Sequence, residues 1–124
     1  MSVLKILIVD DSPDDAKLIA YRARRAGFEI EWNRVETEEA FAAALAGVDL
    51  VICDYSMPLY SPDRALAHIA ATGHSVPFLL VSGSVTAQAA AQLVQAGAAG
   101  YLLKDQLEKL GPAIHHALAQ KTAA

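Results

Sequence analysis

The chain has 124 residues, of which 54% are hydrophobic; that fits one domain with a core large enough to fold without staples. Fourteen acidic side chains against ten basic ones give a formal net charge of −4, which argues against broad electrostatic binding to nucleic acid or to an anionic membrane. A lone cysteine, Cys53, excludes an internal disulfide and suits a reducing compartment. The start MSVLKILIVDD ends its short apolar run in acid, unlike a signal peptide, and no apolar run is long enough to span a bilayer, so a cytoplasmic location is expected.

Short apolar runs alternate with longer helical patterns. LKILIVD (Leu4 to Asp10) is continuous and rich in β-branched residues, as expected of a strand buried on both faces. Ser12 then offers an N-cap, Pro13 suits the first helical position, and Asp14 and Asp15 favour the positive helix start. This helix is expected to run to about Ala26, with Gly27 as its stop. EIEWNRV (Glu29 to Val35) alternates polar and apolar, the pattern of an edge strand. Thr37 caps EEAFAAALA, and Gly47 ends it. DLVICD (Asp49 to Asp54) is a second buried run. Pro62 opens DRALAHIAATG, which ends near Gly73. VPFLLVS (Val76 to Ser82) is a third buried run, followed by a helix capped by Thr86 and stopped by Gly97. AGYLLK (Ala99 to Lys104) reads as a fourth. Asp105 and Glu108 have capping-box spacing before the last helix, in which Leu107, Leu110, Ile114 and Leu118 recur at helical intervals.

Five strand–helix units in strict alternation imply an α/β domain spanning 1–124: a parallel sheet with helices on both faces. In such a sheet ligands bind outside the carboxyl ends of the strands. Those ends supply Asp10 and Asp11, then Asp54, then Ser82, then Lys104. Three carboxylates crowded together cannot all stay ionised without a partner. A hard divalent cation such as Mg2+, which takes carboxylates, waters and phosphate oxygens, would resolve the conflict, and Lys104 adds positive charge. A carboxylate so placed can attack phosphorus, because the cations offset charge gathering on the phosphoryl oxygens.

VDDS (Val9 to Ser12), DYSMP (Asp54 to Pro58), VSGS (Val81 to Ser84) and YLLK (Tyr101 to Lys104) stand in the order and spacing of a known family. On these pieces the whole chain resembles the receiver domain of bacterial two-component response regulators. The resemblance implies a flavodoxin-like, doubly wound five-stranded sheet of order 2-1-3-4-5. It implies that Asp54 accepts a phosphoryl group from a sensor histidine kinase or phosphotransfer protein. It also implies that Asp11, Asp54 and the backbone carbonyl of Ser56 ligate Mg2+, with Asp10 helping through water. Ser82 matches the switch hydroxyl, Tyr101 the switch aromatic and Lys104 the lysine that pairs with a phosphoryl oxygen. Gly83 matches the small residue that leaves the pocket open. Ser56 and Ser84 occupy positions that tune hydrolysis in the family.

Two departures stand out. Pro62 replaces a usual glycine, and Asp105 replaces the proline that follows the lysine, so a trans Lys104–Asp105 bond and a reshaped loop are expected. The expected function is a signalling switch that catalyses only its own phosphotransfer and dephosphorylation. Its partners would be a phosphodonor and a downstream protein or fused output domain, since no output region follows. A second copy could pack through the last two helices, although the alanines of AQAAAQLVQAG also serve helix formation alone. No direct binding to nucleic acid or membrane is expected.

Alternative readings compete. One is a receiver-fold interaction module that works without phosphorylation, which Pro62 and Asp105 favour and the full set of site residues opposes. Another is an enzyme on a similar sheet. A flavin-binding relative needs a Ser/Thr/Gly-rich loop where DDSPDD stands, and an aspartyl phosphatase usually carries Asp where Ser56 stands. Lys17, Arg22, Arg24 and Arg25 on the first helix form either a solvated face or a docking surface for an acidic phosphodonor. His68, His74, His115 and His116 lack metal-ligand spacing. Cys53 reads as an inert buried filler.

Overall fold

The computed structural model describes residues 3–55, 57–73, 76–83 and 86–123, with side chains to residue 120. Its strands are β1 (Leu4–Val9), β2 (Ile30–Val35), β3 (Leu50–Cys53), β4 (Phe78–Ser82) and β5 (Gly100–Leu103). Its α-helices are α1 (Pro13–Arg25), α2 (Glu38–Ala44), α3 (Pro62–Thr72), α4 (Ala87–Gln95) and α5 (Leu110–Ala123), and a 3₁₀ helix (Lys104–Lys109) precedes α5. The strands are all parallel and lie in the order β2-β1-β3-β4-β5, the expected doubly wound sheet.

The continuous apolar runs are explained by burial on both sides. Ile6 and Ile8 of β1 face Ile19 and Ala23 of α1 and Ile114 of α5. Leu7 and Val9 point the other way, toward Phe41 of α2, Ile69 of α3 and Leu93 of α4. Alternation along one strand therefore feeds two cores. β2 alternates because it is an edge, with Ile30 and Val35 buried and Glu31 and Asn33 exposed.

Helix starts follow local chemistry. Ser12, Thr37 and Thr86 each accept an amide hydrogen bond in the first turn of their helices. Pro62 opens α3 as expected, and Ser61 before it is the cap, its hydroxyl accepting from the Arg64 amide at 3.3 Å. Gly73 ends α3 in the left-handed conformation, at φ 74°.

Two expectations fail. β5 is the second edge of the sheet and not a buried run; Leu102 alone of its four residues is buried. Asp105 does not cap the last helix, since it sits inside the 3₁₀ segment, which has no side-chain cap. Pro112 explains why. A helix continuous from Asp105 would place Pro112 in its interior, without an N–H and against the Glu108 carbonyl. The chain instead kinks at Gln106 (φ −120°, ψ 29°) and restarts α5 at Leu110, so that Pro112 falls in the first turn. Leu107 and Leu110 still reach the α1 side of the core. No cis peptide occurs among the described residues, so the Lys104–Asp105 bond is trans.

Candidate functional site at the carboxyl edge of the sheet

Register brings the strand ends together. Val9 pairs with Cys53, so Asp10 and Asp54 leave neighbouring strands side by side, and the Asp54 amide donates to the Val9 carbonyl at 2.8 Å. Ser82 pairs with Leu103, which places Lys104 just beyond the end of β4. Winding reverses between β1 and β3, because β2 lies on one side of β1 and the remaining strands on the other. That reversal opens the crevice where α/β sheets bind ligands.

Asp10 is 1% exposed and Asp54 is 6% exposed. The Ser12 amide donates to Asp10 Oδ1 at 2.9 Å. Asp10 Oδ2 lies 2.9 Å from Lys104 Nζ, yet it accepts no hydrogen bond of good alignment. The contact is therefore chiefly one of charge. Burial raises the Asp10 pKa; the Ser12 amide and Lys104 only partly offset this, and the Asp54 charge adds to it. The Tyr55 amide donates to Asp54 Oδ1 at 2.9 Å, and Asp54 Oδ2 faces Lys104 Nζ at 3.6 Å. Lys104 Nζ also donates to Asp15 Oδ2 at 2.8 Å. Burial alone would lower the Lys104 pKa, but the hydrogen bond to Asp15, the close Asp10 contact and the carboxylate charges outweigh it and raise it.

Asp11 is exposed, and it still offers an oxygen to the group: ligand atoms of Asp10, Asp11 and Asp54 all lie within 4.8 Å of one another. An octahedral Mg2+ with bonds of about 2.1 Å allows roughly 4.2 Å between direct ligands on opposite sides. The spread thus suits two direct carboxylates and a third acting through water, or a small contraction. Asp10 Oδ2, buried beside a single ammonium, is a further sign of a group built for a cation.

Ser82 is fully buried at the end of β4, whereas Tyr101 is 48% exposed on the edge strand. Ser56 and Ser84 lie outside the described residues, and so does His74. A Cβ added at Gly83 would meet no described atom within 4 Å, so no described neighbour forces its small size. The Cys53 thiol is buried and donates to the Asp54 carbonyl at 3.2 Å; burial, then the Asp54 and Asp10 charges, push its pKa well up. His68 packs edge-on to Phe41, His115 tilts against Phe28, and His116 meets Gln120.

Two site contacts were missed in the sequence. Asp15 reads in the sequence as a helix-dipole residue, and its 2.8 Å contact to Lys104 spans 89 positions. Arg34 of β2 donates to the Asp10 carbonyl at 3.2 Å and pairs with Glu36 at 3.3 Å, tying the edge strand to the site. Neither has a local spacing that would reveal it. The basic cluster also divides. Arg22, Arg24 and Arg25 occupy the last turn of the 13-residue α1, roughly 15 Å along the axis from the site, so only Lys17 sits near the acidic end.

The family profile of the response regulator receiver domain matches residues 6–115. The chain belongs to this family. Solved receivers share its fold at low identity. A receiver domain protein from Clostridium thermocellum superposes with a TM-score of 0.81 at 24% identity, covering 98% of each chain. A chemotaxis-regulator-like receiver from Methanospirillum hungatei gives 0.79 at 21%, again with 98% of each chain covered. The signal receiver domain of an HD domain-containing protein from Pseudomonas fluorescens gives 0.82 at 21%, covering 99% of this chain and 100% of that one. The acidic pocket that receivers use for Mg2+ is present here as Asp10, Asp11 and Asp54, and no described helix is long and apolar enough to cross a membrane.

Proposed function

We propose that residues 1–124 form one cytoplasmic receiver domain that takes a phosphoryl group onto Asp54 in a Mg2+-dependent reaction. The observation that carries this reading is the buried Asp54 carboxylate, grouped with Asp10 and Asp11 within 4.8 Å and 3.6 Å from the Lys104 ammonium. Asp11, Asp54 and the Ser56 carbonyl would hold the ion, with Asp10 reaching it through water. Bound there, Mg2+ supplies positive charge against the phosphoryl oxygens.

An Asp54 carboxylate oxygen forms the new bond to phosphorus as the donor's P–N bond, in a phosphohistidine, breaks. Lys104 pairs with one phosphoryl oxygen, and the Ser82 hydroxyl donates to another. Water later cleaves the acyl phosphate, releasing inorganic phosphate and restoring the carboxylate. The domain is not an enzyme for a separate substrate. Tyr101 lies on β5 beside Ser82's partner strand positions and is half exposed, so a shift at Ser82 can reach the surface there. That surface would meet a downstream protein or a fused output domain. α4 carries no charged residue, which suits a second copy packed through α4 and α5.

Beryllofluoride, a phosphoryl mimic, tests the site. Fluorine NMR should show a bound species with Mg2+ that disappears in EDTA and in Asp54→Ala. No bound species in the unmutated protein would favour a module that works without phosphorylation.

A further inference from the structure

Lys104 touches three carboxylates but directs its well-formed hydrogen bond to one. Asp15 Oδ2 accepts at 2.8 Å. Asp10 Oδ2 is as close, at 2.9 Å, but poorly aligned. Asp54 Oδ2, at 3.6 Å, is beyond hydrogen-bond reach. The ammonium needed at the phosphoryl group is therefore aimed, at rest, toward α1.

The partners differ in what it costs to release it. Asp10 is 1% exposed, so losing Lys104 would leave a buried charge without its cation. The Asp15 side chain is 43% exposed, so water replaces the ammonium readily. Asp15 is also held in place, because its amide donates to the Ser12 cap at 3.2 Å in the first turn of α1. Of the two close contacts, Asp15 is the exchangeable one.

We propose that Asp15 is a positioning residue that holds Lys104 off Asp54 in the unphosphorylated state and competes with the phosphoryl group for it. This rests on the phosphoacceptor reading above. Arrival of the phosphoryl group adds negative charge at Asp54, and Lys104 turns from Asp15 to it while Asp15 takes up water. Asp15 thus sets the affinity of the site for a phosphoryl group without touching that group.

Beryllofluoride affinity at saturating Mg2+ tests this in four proteins: unmutated, Asp15→Asn, Asp15→Glu and Asp14→Asn. Removing the competitor should tighten binding in Asp15→Asn by about two- to fivefold, the range of an ion pair with one exposed partner. Asp15→Glu keeps a carboxylate within reach of Lys104 and should restore the unmutated value. Asp14→Asn deletes the same charge from the same turn and should change nothing. Unchanged or weaker binding in Asp15→Asn overturns the proposal, as does an equal gain in Asp14→Asn, which would make the effect one of net charge. If the unmutated protein binds no beryllofluoride, the phosphoacceptor reading itself falls; if it binds normally and Asp15→Asn matches it, only the role of Asp15 falls.

Discussion

Lys104→Met keeps most of the side-chain stem and removes the charge that faces Asp10, Asp15 and Asp54. Breaking a buried ion pair by deleting one partner costs about 3–5 kcal/mol. Here Asp10 is buried, but the Lys104 side chain keeps 18% of its exposure, so the lower side of that range applies. The contact to the 43% exposed Asp15 adds about 0.4–1 kcal/mol, and the variant also sheds the desolvation cost of the ammonium. We expect a net loss of about 2 kcal/mol in EDTA at neutral pH, a large share of a domain's stability. The signs agree. The folded-state pKa of Lys104 is raised, so its stabilisation is complete below the ordinary lysine value and is lost only as pH rises through the raised one. The folded-state pKa of Asp10 is also raised and climbs further without Lys104. Its penalty is absent below the ordinary carboxylate value and grows as pH rises through the raised one. The gap between the proteins should therefore narrow from pH 7.5 to pH 5. Urea unfolding followed by far-ultraviolet circular dichroism reads both quantities. Equal stability at pH 7.5, or a gap that widens toward pH 5, would refute the reasoning.

Gly111→Ala would put a Cβ 2.9 Å from the Ala26 Cβ where α5 crosses the end of α1; overpacking of about 2 kcal/mol exceeds the roughly 1 kcal/mol gained in helix propensity, so Tm should fall by about 3–5 °C. Asp11→Ala, at an exposed position, should leave stability in EDTA within about 0.5 kcal/mol and weaken Mg2+ binding at least tenfold by calorimetry; unchanged affinity would remove Asp11 from the ligand set. Cys53, buried with its pKa pushed well up, should react with an aromatic disulfide roughly a hundredfold more slowly in buffer than in urea; comparable rates would contradict its burial.

The sequence carried most of the fold because its strongest cues are local. A continuous β-branched run such as LKILIVD states burial on both faces, and Ser12, Thr37 and Thr86 cap through hydrogen bonds reaching only three residues. The group of Asp10, Asp11 and Asp54 was legible because parallel strands end on one rim. What stayed hidden depended on distant geometry. The chain runs on through β5 as apolar as before, but nothing in it says that this strand is an edge. Asp105 and Glu108 satisfied a local spacing rule that Pro112, seven positions after Asp105, overrode. The turn in which Asp15 sits is plain from local spacing, but its contact with Lys104 depends on where β5 ends relative to α1. The four basic residues of the first helix looked like one cluster until a helix 13 residues long set three of them at its far end.

The central claim is that Asp54 accepts a phosphoryl group. Intact-mass spectrometry after incubation with acetyl phosphate and Mg2+ tests it most directly, with Asp54→Ala and an EDTA sample alongside. The account predicts a gain of one phosphoryl group in the unmutated protein with Mg2+, and no gain in either control. An equal gain in Asp54→Ala, or one that persists in EDTA, would contradict it.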